Sequence, residues 1–321
     1  TVFQPEAELM SAVAIGIPAE RIHPPNSPDR ASPSTAASAE LEVEAAYLLS
    51  RVKADLGEQV GLERTGEGRL QIVGIVGTET RKDEILQSLG SLVHNPAVEI
   101  DIATEAEARR LVAQRATAGR VIVREVVVSS NEMPAHQHLR RYFAATEGEN
   151  SSTESIDRNI REFAAQALKR ASKALGHASA LRRLVNQLPQ DKVRTLTLDA
   201  RSKWELMISE HARACHLEVK ALREALEPIF FYDTGIEKEN RKSESIDNAS
   251  LAQVVEDLLA LCRANDVITG AAFTISNKAT RTYEFSTPQF WQSLRKAEAL
   301  AKIIEMNEQY SFGKNSRQTQ P

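Results

Sequence analysis

From about residue 154 onward the apolar residues recur in steps of three and four, and that rhythm constrains the fold more than any other feature. Ile160, Phe163, Ala167, Ala171, Ala174, Ala178, Leu181, Val185 and Leu188 make one continuous stripe. A helix with such a stripe must bury it against another helix. The alanines let neighbouring backbones come close. At about 1.5 Å per residue the helix is on the order of 50 Å long. "LPQDKVRTLTLDA" breaks it. Thr197 then offers an N-cap to a second long helix, with Asp199 in its first turn. The second stripe runs Trp204, Ile208, His211, Cys215, Val219, Leu222 and Leu226. After the charged loop "DTGIEKENRKSESIDN", Ser250 and Gln253 read as a capping box, followed by Leu251, Val255, Leu258 and Cys262. Thr287 before Pro288 starts a last helix, striped by Phe290, Leu294, Ala297, Ala301 and Ile304. Residues 154–312 therefore predict an antiparallel helical bundle or a long helical hairpin.

The earlier part has another period. "VGLERTGEGRLQIVGIVGT", Val60 to Thr78, alternates apolar and polar residues on either side of Thr-Gly-Glu-Gly, which predicts a half-buried hairpin. Before it, residues 39–57 predict a helix with Leu41, Ala45, Leu48, Val52 and Leu56 on one face and Gly57 as its C-terminal cap. After it come a helix over 79–93, with Ile85, Leu89 and Leu92 inward, and a strand over 97–104, with Val98, Ile100 and Ile102 on one face. A helical "EAEARRLVAQRATAG" and a β-branched strand at 120–130 follow, the latter placed to extend the sheet. The fold class expected is α+β. A small αββαβ domain spans 39–130 and a connector with a short helix spans 131–153. The bundle follows, and a Pro- and Ser-rich linker (1–38) and a polar tail (313–321) flank the whole.

Bulk properties narrow the function by exclusion. Lys and Arg number 40 against 44 Asp and Glu, a net charge of -4, so no nucleic-acid partner is expected. No apolar run approaches the roughly 20 residues that span a bilayer. The chain begins at Thr1 rather than Met, and a membrane or targeting segment upstream is expected.

Few residues suggest chemistry. His211, Cys215 and His216 sit in "SEHARACHLE". His211 and Cys215 are four apart on one helical face, a spacing that can offer two metal ligands. Both also lie on the apolar stripe, so simple packing is the stronger expectation and no metal or cofactor is assigned. Cys215 and Cys262 both face inward. Buried free thiols are the default, and a disulfide between them is the alternative. His136 and His138, beside Arg140 and Arg141, read as a solvated helix start. The glycines around the hairpin are turn and bulge residues rather than a dinucleotide fingerprint. Acidic pairs such as Glu42 and Glu44, or Glu237 and Glu239, fall on exposed helical faces, and no serine sits on a nucleophile elbow. The chain reads as a non-enzyme.

The order helix, hairpin, helix, strand over residues 40–104 resembles a BON domain. In "LQIVGIVGTETRKDEIL", Gly74 falls where that family carries a glycine in the second strand of its hairpin. Gly77 is a departure from the pattern. The whole chain is also similar to the region outside the membrane of bacterial anti-sigma-like envelope proteins, through "LRRYFAA", "ALGHASALRRLV", "KWELMISEHARA" and "STPQFWQSLRKAEALA". Those proteins carry a zinc-binding anti-sigma module, one transmembrane helix and a linker ahead of such a region; the zinc-binding module has no counterpart in this sequence. The resemblance implies a periplasmic or extracytoplasmic sensory or interaction domain, tethered to the inner membrane, with a protein or lipid-surface partner and no catalytic residues. The competing expectation is a soluble cytosolic scaffold that forms homo-oligomers through its long helices.

Overall fold

The computed structural model describes residues 36–57, 59–115, 133–147, 152–230, 250–274 and 287–306. The strand expected at 120–130, the charged loop after residue 232, most of the linker, the tail, and Glu237 and Glu239 lie outside the described residues. In the described residues a small sheet with its helices packs beside a helical bundle.

The hairpin forms where the alternation predicts it. Strands β1 (Gln59–Arg64) and β2 (Leu70–Val76) pair antiparallel, with Val60 opposite Gly74 and Arg64 opposite Leu70. Gly68 closes the turn at φ +79°, a left-handed value, and a Cβ there would sit 3.3 Å from that of Ala36. Helix α2 (Glu79–Ser88) carries the chain back, and β3 (Val98–Thr104) pairs parallel to β2, with Ile102 opposite Gly74. A parallel pair needs such a crossover. Thr104 and Glu107 then form a reciprocal capping box that starts α3 (Glu105–Arg115). Leu70, Ile72 and Val76 bury one face of the sheet under Ile85, Leu89 and Leu92 of the α2 segment.

Helix α1 (Ala39–Arg51) joins the two regions. Its Ala45, Leu48 and Leu49 enter the sheet core, while Val43 on its other side belongs to the bundle core. The helix stops earlier than the Gly57 cap predicts. Lys53 N–H bonds Ser50 C=O at 2.9 Å, Ala54 N–H bonds Leu49 C=O at 3.0 Å, and Lys53 takes φ 57°. That is a Schellman termination with a lysine in the position glycine usually fills. Buried Ala54 packs beside Leu49 in the same core and completes it; Gly57 lies beyond, in the next turn.

Helices α5 (Thr153–Gln187), α7 (Leu198–Phe230), α8 (Leu251–Phe273) and α9 (Pro288–Met306) form the bundle. The short α4 (His136–Glu147) packs on α5, and α6 (Gln190–Thr195) fills the break between α5 and α7. Every residue of the α7 and α9 stripes is buried, and so is the alanine stripe of α5 from Ala167 to Ala178. The pairs Lys173–Glu218 and Trp204–Leu184 set α5 against α7, and Arg223–Glu298 and His216–Glu305 set α7 against α9. Arg182–Glu256 and Phe163–Phe273 do the same for α5 and α8. In each case numbers rise on one helix as they fall on the other, so neighbours run antiparallel. Helices α7 and α8 therefore run parallel on the diagonal, where Phe230 meets Phe273 and Cys215 meets Cys262. Ser250 caps α8 through Gln253 N–H at 3.2 Å. The Gln253 side chain turns instead to Asp257, one turn along, so only half of the expected capping box is made.

Candidate functional site

The most organised group of polar side chains lies where α1 meets α5 and α7. The turn that ends α1 presents Ser50 and Asp55 side by side. His211 on the α7 stripe is 4% exposed. Its Nε2 lies 2.8 Å from Asp55 Oδ2 and 3.4 Å from Ser50 Oγ. Its Nδ1 faces His177 Nδ1 of α5 at 3.1 Å. The small residues Ala174 and Ala178 flank His177 and leave room for the two rings, whose centroids are 5.4 Å apart. Arg183, two turns along α5, donates to the Asp55 carbonyl. Lys203 bonds Glu44 at 2.6 Å and ties α1 to α7 again further along.

The charges follow this geometry. Burial pushes the Asp55 carboxyl up, but the hydrogen bond and positive charge of His211 outweigh it and hold the group below its usual range. Burial, and then the charge of His211, push His177 down to about 4. Burial also lowers Arg183. Asp55 Oδ1 is buried with no hydrogen-bond partner among the described residues. Asp55 lines a narrow cleft of about 40 Å³, together with Val60, Arg183, Leu184 and Gln187.

The arrangement orients rings; it does not activate a nucleophile. A Ser–His–Asp triad puts the serine and the carboxylate on opposite ring nitrogens. Here Ser50 and Asp55 share Nε2 of His211, and His177 occupies Nδ1.

The residues singled out by sequence are pulled apart. His211, Cys215 and His216 do not converge: His216 is turned about 100° from Cys215, and His211 and Cys215, although one turn apart on the same face, meet partners on different elements. His211 turns to Asp55 and His177, and Cys215 turns into the bundle. His216 turns to α9, with Glu305 at 3.1 Å and Glu298 at 4.0 Å. Among the described residues no group of three or more His, Cys, Asp or Glu is placed to hold a metal. Cys215 and Cys262 do meet, as free buried thiols with sulfurs 3.8 Å apart. The hydrogen bond with Cys262 and burial push the Cys215 thiol well up. Gly74 sits mid-strand in β2 between Val60 and Ile102. His136 lies at the start of α4, 3.9 Å from Asp157; the His138 ring lies tilted against Phe230, centroids 6.0 Å apart; Arg140 and Arg141 are exposed. Glu42 is buried and takes a two-pronged bond from Arg64, while Glu44 pairs with Lys203.

Ser50, Asp55, His177 and Arg183 escaped the sequence reading. The one available signal was a polar ring set among the alanines of the α5 stripe. Its partner becomes visible only once α5 and α7 are aligned antiparallel.

Compared with known proteins, the chain matches no family model, no curated protein and no solved structure. What the fold defines is an α+β chain, with a three-stranded sheet and its helices packed on a long helical bundle.

Proposed function

We propose that the chain is a non-catalytic interaction or sensory module of the bacterial envelope, in which the BON-like sheet unit meets a protein or lipid-surface partner and the bundle is its rigid support. The observation that carries this reading is how the polar groups are used. Ser50, Asp55, His177, His211 and Arg183 bond one another across the junction, so the groups best suited to chemistry serve to seat the sheet unit on the bundle. The resemblance to membrane-tethered anti-sigma-like proteins supplies the location, periplasmic and held to the inner membrane from upstream.

The competing reading, a cytosolic scaffold self-associating through its helices, has less room. The stripes of α5, α7, α8 and α9 face one another inside a single chain. Fractionation of native cells, with the intact mass of the species recovered, tests both readings. A larger protein in the membrane fraction supports the envelope module. A cytosolic species forming stable dimers sinks it and promotes the scaffold.

A further inference from the structure

The contact between His177 and His211 has a simple proton count. His211 donates from Nε2 to Asp55, and the two Nδ1 atoms face each other at 3.1 Å. Such a contact holds one proton: one nitrogen donates and the other accepts. With both rings neutral, His177 donates to His211. With one positive charge on the pair, His211 donates to His177. Both states keep the contact. A second charge does not, because two N–H groups then point at each other between two cations.

We propose that His177 and His211 form an acid-sensitive latch, in which a second proton on the pair parts the two rings and loosens the turn of α1 seated on His211. The ring that yields is His177, because it is only partly buried, whereas His211 is enclosed and anchored on Asp55. The surroundings set the response. Asp55 from the α1 turn and Glu218 from α7 favour the added proton. Lys173 and His211 oppose it, as does burial, which dominates. Lys173 itself is paired with Glu218 at 3.1 Å, and Arg183 with the Asp55 carbonyl, so both cations are held in place. This inference does not depend on the envelope reading.

The sign follows by linkage. The folded chain holds His177 near 4, against an ordinary 6.5. Between those values the unfolded chain binds the extra proton and the folded one does not. Stability is therefore lost as pH falls from about 6.5 towards about 4. Below the ordinary carboxylate range, Asp55 adds a further loss as it too is protonated.

The test is thermal unfolding of the full chain from pH 7 to pH 4.5, compared with His177→Gln. The glutamine oxygen can accept from His211 but takes up no proton. The wild-type midpoint falls across this range, and the variant loses less than half as much. A wild type that stays level, or a variant with the whole fall, overturns the latch. Two measurements on the wild type alone guard against a variant that fails to fold. In ¹³C-histidine NMR, the His177 ring stays untitrated down to about pH 5; titration near 6.5 overturns the proposal. In hydrogen exchange corrected for intrinsic rate, the amides of Lys53 and Ala54 lose about tenfold in protection between pH 7 and 4.5 while α8 amides hold. Equal loss in both places overturns a local latch.

Discussion

The interior of the bundle and its junction with the sheet unit are each closed by a pair of like side chains from distant segments. In the interior, Cys215 and Cys262 bring two thiols to 3.8 Å amid apolar stripes. One helical turn earlier on α7, His211 meets His177 and Asp55, and the closure is made of hydrogen bonds and charge. The interior gains from the removal of apolar surface from water, which pH hardly touches. The junction gains from groups whose protonation must be right. The same stripe of one helix therefore carries a turn that is indifferent to solvent conditions and, next to it, a turn that answers to them.

The largest effect that would sharpen this contrast lies in the interior. Trp204 is 2% exposed, and its ring nitrogen donates to Leu184 C=O at 3.4 Å. Trp204→Ala should cost about 3–5 kcal/mol. The loss, read by denaturant melts followed by circular dichroism, should be the same at pH 7 and pH 5. A cost that changes with pH would mean that the interior shares the sensitivity of the junction.

The second test asks whether the two regions unfold together. Ile72 is fully buried in the sheet core, and Ile72→Ala should cost about 3 kcal/mol. Both tryptophans of the chain, Trp204 and Trp291, lie in the bundle, so their fluorescence reports only that region. Because α1 places Val43 in one core and Leu48 and Leu49 in the other, the fluorescence midpoint should move with the circular dichroism midpoint. Separate transitions would divide the molecule at α1.

The stripes were legible because a buried helix face leaves a period in the chain. Trp204 to Leu226, and Phe290 to Ile304, could be read off at steps of three and four. The hairpin was legible for the same reason at a period of two. The junction leaves no period. Its residues come from the end of α1, the middle of α5 and the middle of α7, and only the two histidines stand out among their sequence neighbours. The Gly57 cap failed because Lys53 accepts a left-handed backbone that propensity assigns to glycine. The Ser250–Gln253 box was half right because the serine side of a cap is geometric, whereas the glutamine had a competing partner in Asp257. His211 and Cys215 were noticed as a pair, yet each found its partner on another helix, which spacing along one helix cannot show.

A smaller effect concerns the thiols. Burial, and the raised position of Cys215, should leave neither cysteine open to alkylation by iodoacetamide at pH 8 in the folded chain. In denaturant both should react, and intact mass would count two labels. Cys262→Ala removes one sulfur from the diagonal and should cost about 1 kcal/mol, again without pH dependence. One label on the folded chain would place a thiol nearer the surface than the bundle packing allows.

The smallest effect falls on the turn that seats Asp55. Lys53 is exposed and holds φ 57°, a conformation that costs a residue with a Cβ on the order of 1 kcal/mol. Lys53→Gly relieves that strain, offset in part by the greater freedom of glycine in the unfolded chain. A net gain of about 0.5 kcal/mol is expected, seen as a small rise in thermal midpoint. The substitution leaves Ser50, Asp55 and both histidines in place, so the rise should be equal at pH 7 and pH 4.5. His177→Gln should change the slope with pH, and Lys53→Gly only the height. If Lys53→Gly instead flattens the slope, the acid response belongs to the strained turn, and the histidine pair merely reports it.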